Sequence, residues 1–152
     1  MKNKLAERVK AAVRDVPDFP KPGILFKDIT PVLQDGELFN TITNYFAERF
    51  EQRGVNKIVG IESRGFIFGS AIAHEMQVGL VLVRKPGKLP ADRIGVDYEL
   101  EYGTDRLEIH TDALNSDNTV AIVDDLLATG GTAKATAELV ERTGATIAEL
   151  SF

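Results

Sequence analysis

The chain has 152 residues, 43% hydrophobic and 27% charged, with a formal net charge of −5 and no cysteine. That length suits one compact domain over 1–152, and the composition is ordinary for a soluble globular protein. Without cysteine there is no disulfide framework, no thiolate zinc site and no cysteine nucleophile. The negative balance argues against a general nucleic-acid binder, and any anionic ligand must be met by a local group of cations.

The first residues, MKNKLAERVKAAVRDV, intersperse Lys2, Lys4, Glu7, Arg8 and Lys10 among apolar ones, so a secretory signal is not expected and a cytoplasmic setting is. Apolar runs such as 78–83 are too short to span a bilayer, so no membrane is expected as a partner. Leu5, Val9, Ala12 and Val13 recur at helical spacing and predict an amphipathic helix over 3–14, ending before Pro17. Residues 17–31, PDFPKPGILFKDITP, hold four of the six prolines and predict an extended, ordered arm. A helix is predicted over 37–53, with Leu38, Ile42, Tyr45, Phe46 and Phe50 as its buried stripe.

Beyond that helix the rhythm changes. KIVGI at 57–61 is a β-branched run, followed by a Gly-containing turn, a helix from 66 to 75 and a second run at 80–83. Continuous apolar strands joined by a helix suit a parallel sheet covered on both faces. Residues 85–105 are rich in glycine, proline and charge, and read as a mobile loop or hairpin. A buried strand at 120–123, a helix over 132–142 and a last strand at 146–152 complete a mostly parallel α/β domain. Ligands of such sheets sit beyond the carboxyl ends of the strands. His74 and His110 have no partner at metal-ligand spacing and read as surface or structural groups.

The most informative segment is VAIVDDLLATGGT, 120–132. A buried strand ends in Asp124 and Asp125, passes through Leu126 and Leu127, and enters Ala128, Thr129, Gly130, Gly131 and Thr132, where a helix starts. Backbone N–H groups of a Gly-rich turn opening a helix converge on one spot, and the helix dipole adds partial positive charge there. A phosphate fits, with threonine hydroxyls as further donors. Two carboxylates beside a phosphate repel it unless a hydroxyl-bearing group lies between. A ribose 5-phosphate meets both demands: its phosphate lies in the turn and its 2- and 3-hydroxyls reach Asp124 and Asp125. The segment lacks the Lys-Ser/Thr of a nucleotide-triphosphatase loop and the GxGxxG of a dinucleotide fold.

This segment resembles the phosphoribosyl pyrophosphate motif of the type I phosphoribosyltransferases, and VVDDLLATGGT-like forms belong to the adenine phosphoribosyltransferases among them. Four further pieces, in the order of that family, strengthen the resemblance. ESRGF at 62–66 is similar to its pyrophosphate-side loop, with Glu62 where aspartate is common; the resemblance implies roles for Ser63 and Arg64 and a non-proline cis peptide between Glu62 and Ser63. RKPGKLP at 84–90 puts three cations within five residues, a local anion site in an acidic chain. The resemblance makes Arg84, Lys85 and Lys88 pyrophosphate ligands, with Arg84 reaching toward a partner's site. YELEYG at 98–103 carries the implied catalytic acid, Glu101, inside a hood that closes over the substrates. FPKPGILFKD at 19–28 is the piece most specific to the adenine branch: the Leu25 backbone would bond the purine edge, Phe26 would stack on its face, and Lys27 stands where arginine is usual.

The resemblance implies a type I phosphoribosyltransferase fold with a flexible hood and an N-terminal arm. It implies that adenine and phosphoribosyl pyrophosphate give AMP and pyrophosphate, with Mg²⁺ carried on substrate oxygens and no dedicated protein cage. It also implies a homodimer. Relatives usually continue for roughly two dozen residues past Phe152, so the strand ATIAELSF is expected at an exposed edge or under a partner. Two rivals differ from this expectation. One is the same chemistry on hypoxanthine or xanthine, which the 19–28 arm and YELEYG oppose. The other is a regulator that keeps the fold to sense purines or bind nucleic acid, which the intact Glu101 and RKPGK segments oppose.

Overall fold

The structure, a computed structural model, describes residues 2–100 and 102–152 and divides into two units, 1–45 and 46–152. In the first unit α1 (Lys2–Ala12) carries Leu5, Val9 and Ala12 half-buried on one face, as predicted. The helix stops two residues earlier than expected. Arg14–Pro17 instead forms β1, paired antiparallel with β2 (Leu25–Asp28). The reason lies in the sequence: Pro17 bars the helical conformation at Val16, and Val13 and Val16 are β-branched. Opposite charges face each other across the pair, with Arg14 Nε 3.0 Å from Asp28 Oδ2 and Lys27 Nζ 2.5 Å from Asp15 Oδ1. The proline-rich arm is therefore extended only to Asp28. Its end enters α2 (Thr30–Gln34), where Pro31 takes an early position that needs no N–H donor.

Helix α3 (Gly36–Glu51) begins in the first unit and ends in the second. Asp35 caps it, its Oδ1 accepting the Leu38 N–H at 3.0 Å. Leu38, Ile42 and Phe50 of the predicted stripe are buried, and Tyr45 and Phe46 half-buried.

The second unit is built on a parallel four-stranded sheet ordered β4-β3-β7-β8, from β3 (Lys57–Ile61), β4 (Gly79–Val83), β7 (Thr119–Val123) and β8 (Thr146–Ser151). The apolar runs are continuous because both faces are covered. Val59, Ile61, Val120 and Ile122 point to one core with Ala135, Leu139 and Val140 of α5 (Gly131–Arg142). Ile58, Ala121 and Val123 point to the other, with Phe50 and with Ile72 and Ala73 of α4 (Gly65–Met76). Each fully buried aliphatic side chain contributes about 1.5–3 kcal/mol.

The predicted loop at 85–105 is a hairpin that runs further than the sequence suggested. β5 (Arg93–Glu99) pairs antiparallel with β6 (Thr104–His110), and Val96, Leu107 and Ile109 join the α5-side core. An isolated antiparallel bridge between Arg84 and Glu108 ties β6 to the end of β4. The last strand, β8, lies at a sheet edge, where Arg49 and Arg53 grip Glu149 at 2.7 and 2.9 Å. Among the described residues, no helix is long and apolar enough to cross a membrane.

Candidate active site

Three of the predicted segments leave the carboxyl ends of adjacent strands: ESRGF after β3, RKPGK after β4 and DDLLATGGT after β7. The first begins with the expected cis peptide between Glu62 and Ser63. Arg64 then opens α4, and the following Gly65 makes the junction with β7 possible. A Cβ at Gly65 would lie 2.7 Å from the Val123 carbonyl oxygen and 3.1 Å from Asp124 Oδ1. Only glycine lets the two loops approach this closely.

In the third segment Asp124 follows β7, its N–H donating to the Ser151 carbonyl at 3.1 Å, while its Oδ1 accepts the Asp125 N–H at 2.8 Å. Burial is the largest of the influences that together leave the Asp124 carboxyl at about 7: the Asp125 amide and Arg64 lower it, and the Asp125 carboxylate raises it further. Asp125 also meets Arg64, its Oδ2 2.8 Å from Arg64 Nε, with a side chain only 6% exposed. The turn then reaches Gly130, whose φ of +86° is a left-handed conformation that favours glycine and that aims the first turn of α5. The N–H groups of Gly131, Thr132 and Ala133 have no acceptor within the helix, which is what an anion at a helix start requires. An open depression of about 300 Å³, counting solvent at its mouth, is lined here by Asp124, Ala128, Thr129, Gly130, Thr132 and Phe152. The structure thus gathers Asp124, Ala128, Thr129, Gly130 and Thr132 around one concavity, with Gly131 between them in the chain.

The cations of the second segment are less free than the sequence suggested. Arg84 Nε and Nη2 lie 3.2 and 3.4 Å from the Glu62 carboxylate. Lys85 Nζ is hydrogen-bonded to Asp105 and lies 3.1 Å from the Tyr98 hydroxyl. These pairings hold the Glu62 and Asp105 carboxyls below the usual range. At Glu62 burial acts in the opposite direction but is outweighed by the Lys85 amide and Arg84; at Asp105 the Lys85 bond is the largest cause. Lys88 is exposed and makes no ion pair with the described residues. Sequence reasoning missed Glu62, Asp105 and Glu108 as partners of this segment. Glu108 is buried, accepting from the Gly87 N–H at 3.0 Å and from Arg93 Nε at 3.3 Å. The alternation of Leu107 and Ile109 around it was the available signal for a strand.

The remaining predicted residues are placed as follows. Ser63 is exposed beside the cis bond. In the first unit Leu25 is exposed, Phe26 meets Phe19 edge-on at 5.2 Å between centroids, and Lys27 pairs with Asp15. Glu101 lies outside the described residues. His74 is exposed on α4, and His110 Nε2 accepts the Ala91 N–H at 3.3 Å, in keeping with surface and structural roles.

Residues 29–151 match the phosphoribosyl transferase domain, which sets the class of the protein. The adenine phosphoribosyltransferase of Methylobacillus flagellatus is 53% identical over 144 residues, covering 95% of this chain and 82% of its own. The crystal structure of adenine phosphoribosyltransferase from Rhodothermus marinus superposes with a TM-score of 0.91 at 50% identity, covering 99% of this chain and 85% of that one. The Saccharomyces cerevisiae enzyme, complexed with an imino-altritol bisphosphate and adenine, gives 0.89 at 39% identity, covering 97% and 89%. The chain belongs to the adenine phosphoribosyltransferase branch of the phosphoribosyltransferase family.

Proposed function

We propose that the chain transfers the 5-phosphoribosyl group from phosphoribosyl pyrophosphate to adenine, giving AMP and pyrophosphate. The observation that carries this reading is the convergence of the three predicted segments at the ends of β3, β4 and β7, with Arg64 joined to Asp125 across two of them. In the reaction an adenine ring nitrogen forms a bond to the anomeric carbon, the bond from that carbon to pyrophosphate breaks, and the ring loses a proton. The transition state resembles a ribosyl cation, so the protein acts mainly by positioning and electrostatics.

The roles proposed for each segment are those that the resemblance to the family implies, and the chemistry of the residues is compatible with them. The α5 start with Ala128, Thr129, Gly130, Gly131 and Thr132 takes the 5-phosphate. Asp124 and Asp125 take the ribose hydroxyls. Ser63, Arg64, Arg84, Lys85 and Lys88 serve the pyrophosphate. Leu25, Phe26 and Lys27 are assigned to the adenine, a base that the yeast relative is seen to bind. Glu101 is assigned the proton exchange with the ring. Magnesium supplies charge neutralisation on the pyrophosphate. The donor set suits an ion brought in on substrate oxygens: the acids beside the phosphate turn are Asp124, whose carboxyl burial raises to about 7, and Asp125, already paired with Arg64.

The match over 29–151 runs through both units and supports one phosphoribosyltransferase domain. A homodimer is part of the proposal, and the bonds from Arg84 to Glu62 of its own chain support a role for Arg84 within that chain. A cytoplasmic setting belongs to it too, since a multiply charged phosphate ester does not cross a bilayer unaided. The test is AMP formation from adenine, phosphoribosyl pyrophosphate and Mg²⁺, run beside hypoxanthine and guanine and beside Glu101→Gln. Turnover with adenine alone, much reduced in the variant, is expected. Turnover only with another base, or full activity of the variant, contradicts the assignment.

A further inference from the structure

Glu62 follows β3 and starts the Ser63–Arg64 loop, yet its side chain faces the next loop. Its Oε2 accepts the Lys85 main-chain N–H at 2.8 Å and Arg84 Nε at 3.2 Å, and its Oε1 accepts Arg84 Nη2 at 3.4 Å. Its own N–H donates to the Val83 carbonyl at 2.9 Å. The bond to a backbone N–H fixes where the chain turns, not only where a cation sits. The far end of the same loop is held independently, by the Gly87 N–H donating to Glu108. Just past the second anchor stands Lys88, exposed and without an ion pair among the described residues.

We propose that Glu62 is a positioning residue that fixes the loop 84–88 in its pyrophosphate-binding conformation and couples it to the Ser63–Arg64 segment. This rests on the reading that the loop takes pyrophosphate. Side-chain exposure is 30% for Arg84 and 16% for Glu62, so the pair is partly screened by solvent and its own contribution to stability is modest. What it does is order a main-chain donor, aim a guanidinium and leave Lys88 projecting from a fixed loop. Loss of that order costs binding at the pyrophosphate end of the substrate and spares the base.

The experiment compares the full chain with Glu62→Gln, Glu62→Asp and Lys88→Ala, reading KM for phosphoribosyl pyrophosphate, for adenine and, in reverse, for pyrophosphate, with the thermal midpoint of each. Glu62→Gln keeps the shape and removes the charge. It is expected to raise both pyrophosphate-side KM values about tenfold while the adenine KM, kcat and the midpoint stay within about twofold or a degree. Glu62→Asp keeps the charge and is expected to return them to within about threefold of wild type. Unchanged pyrophosphate-side KM values in Glu62→Gln overturn the proposal, as does an aspartate variant no better than glutamine or an adenine KM that rises equally. Should Glu62→Gln not fold, the aspartate variant decides by the same split between pyrophosphate-side and adenine KM. Lys88→Ala separates the two levels. If it raises the pyrophosphate KM and Glu62→Gln does not, only the positioning role falls; if neither raises it, the pyrophosphate reading of the loop falls with it.

Discussion

Arg64 Nε lies 2.8 Å from Asp125 Oδ2, so an ion pair joins the loop after β3 to the loop after β7. The partners are unequal: the Asp125 side chain is 6% exposed and that of Arg64 44%. The arginine therefore keeps one side toward solvent while neutralising a carboxylate that has little water of its own. Both residues belong to segments assigned to the substrate, which makes the pair a link between the pyrophosphate and ribose ends of one ligand.

Arg64→Ala is expected to lower stability by about 1–3 kcal/mol, because it strands a nearly buried carboxylate. It should also lower kcat/KM for phosphoribosyl pyrophosphate by at least about tenfold. Arg64→Lys, which lacks the planar fork, should lie between the two. Urea melts and steady-state kinetics read both effects, and an alanine variant indistinguishable from wild type contradicts the linking role.

Asp124 gives a pH dependence of opposite sign to an ordinary carboxylate. Burial is the main reason its carboxyl sits at about 7 in the folded chain against an ordinary value of 3.8. Between those values the folded state holds a proton that the unfolded chain has lost, so stability falls as pH rises through the window. Asp124→Asn removes that titration. Its melting temperature relative to wild type should be higher at pH 8 than at pH 5, and phosphoribosyl pyrophosphate should bind more weakly. An equal difference at both pH values would count against the raised carboxyl.

Much of this site was legible in the sequence because it is local. ESRGF, RKPGK and DDLLATGGT each follow an apolar run, and each leaves a strand at its carboxyl end as the runs predicted. The pairing of charges was not legible, because it is made across the fold: Arg84 finds Glu62 22 residues back and Lys85 finds Asp105 20 residues on. Read linearly, three cations in an acidic chain looked free. The strand β6 was hidden for a related reason. Leu107 and Ile109 alternate about Glu108, which occupies the polar position and is nonetheless buried, since Arg93 and the Gly87 N–H satisfy its carboxylate. Strand β1 was not foreseen: the predicted helix took in Arg14 and the predicted arm began at Pro17, while the β-branched Val13 and Val16 and Pro17 favour extension across that boundary.

Gly65→Ala tests how closely the two loops must pack. The added methyl carbon would stand 2.7 Å from the Val123 carbonyl oxygen, a main-chain atom at the end of a buried strand that has little room to shift. A loss of about 1–3 kcal/mol is expected from this overpacking. Binding of ribose 5-phosphate should weaken as well, since Asp124 Oδ1 is the next atom displaced. Gly87→Ala, where the added carbon meets nothing within 4 Å but φ is +77°, provides the contrast. It should lose about 1 kcal/mol from backbone strain alone and leave ribose 5-phosphate binding intact.

Asp105→Asn tests the hairpin. Asp105 on β6 accepts from Lys85 Nζ and from the Tyr98 hydroxyl, the latter at 3.1 Å, so one carboxylate fastens the hairpin to the basic loop. Its carboxyl is held below 3.8, with the Lys85 bond the largest cause. A lowered carboxyl contributes stability above the ordinary range, and that contribution disappears as pH falls through the folded value. The variant should therefore melt below wild type at pH 7, and the gap should narrow as pH falls below the ordinary carboxylate range, where wild type begins to lose the charge too. With side chains 39% and 29% exposed, the neutral-pH loss should be only about 1 kcal/mol. Its larger signature is local: amide hydrogens of β5 and β6 should exchange faster than in wild type while those of β3 and β7 keep their rates. Uniform acceleration across all four strands would mean that the carboxylate supports the whole sheet rather than the attachment of the hairpin.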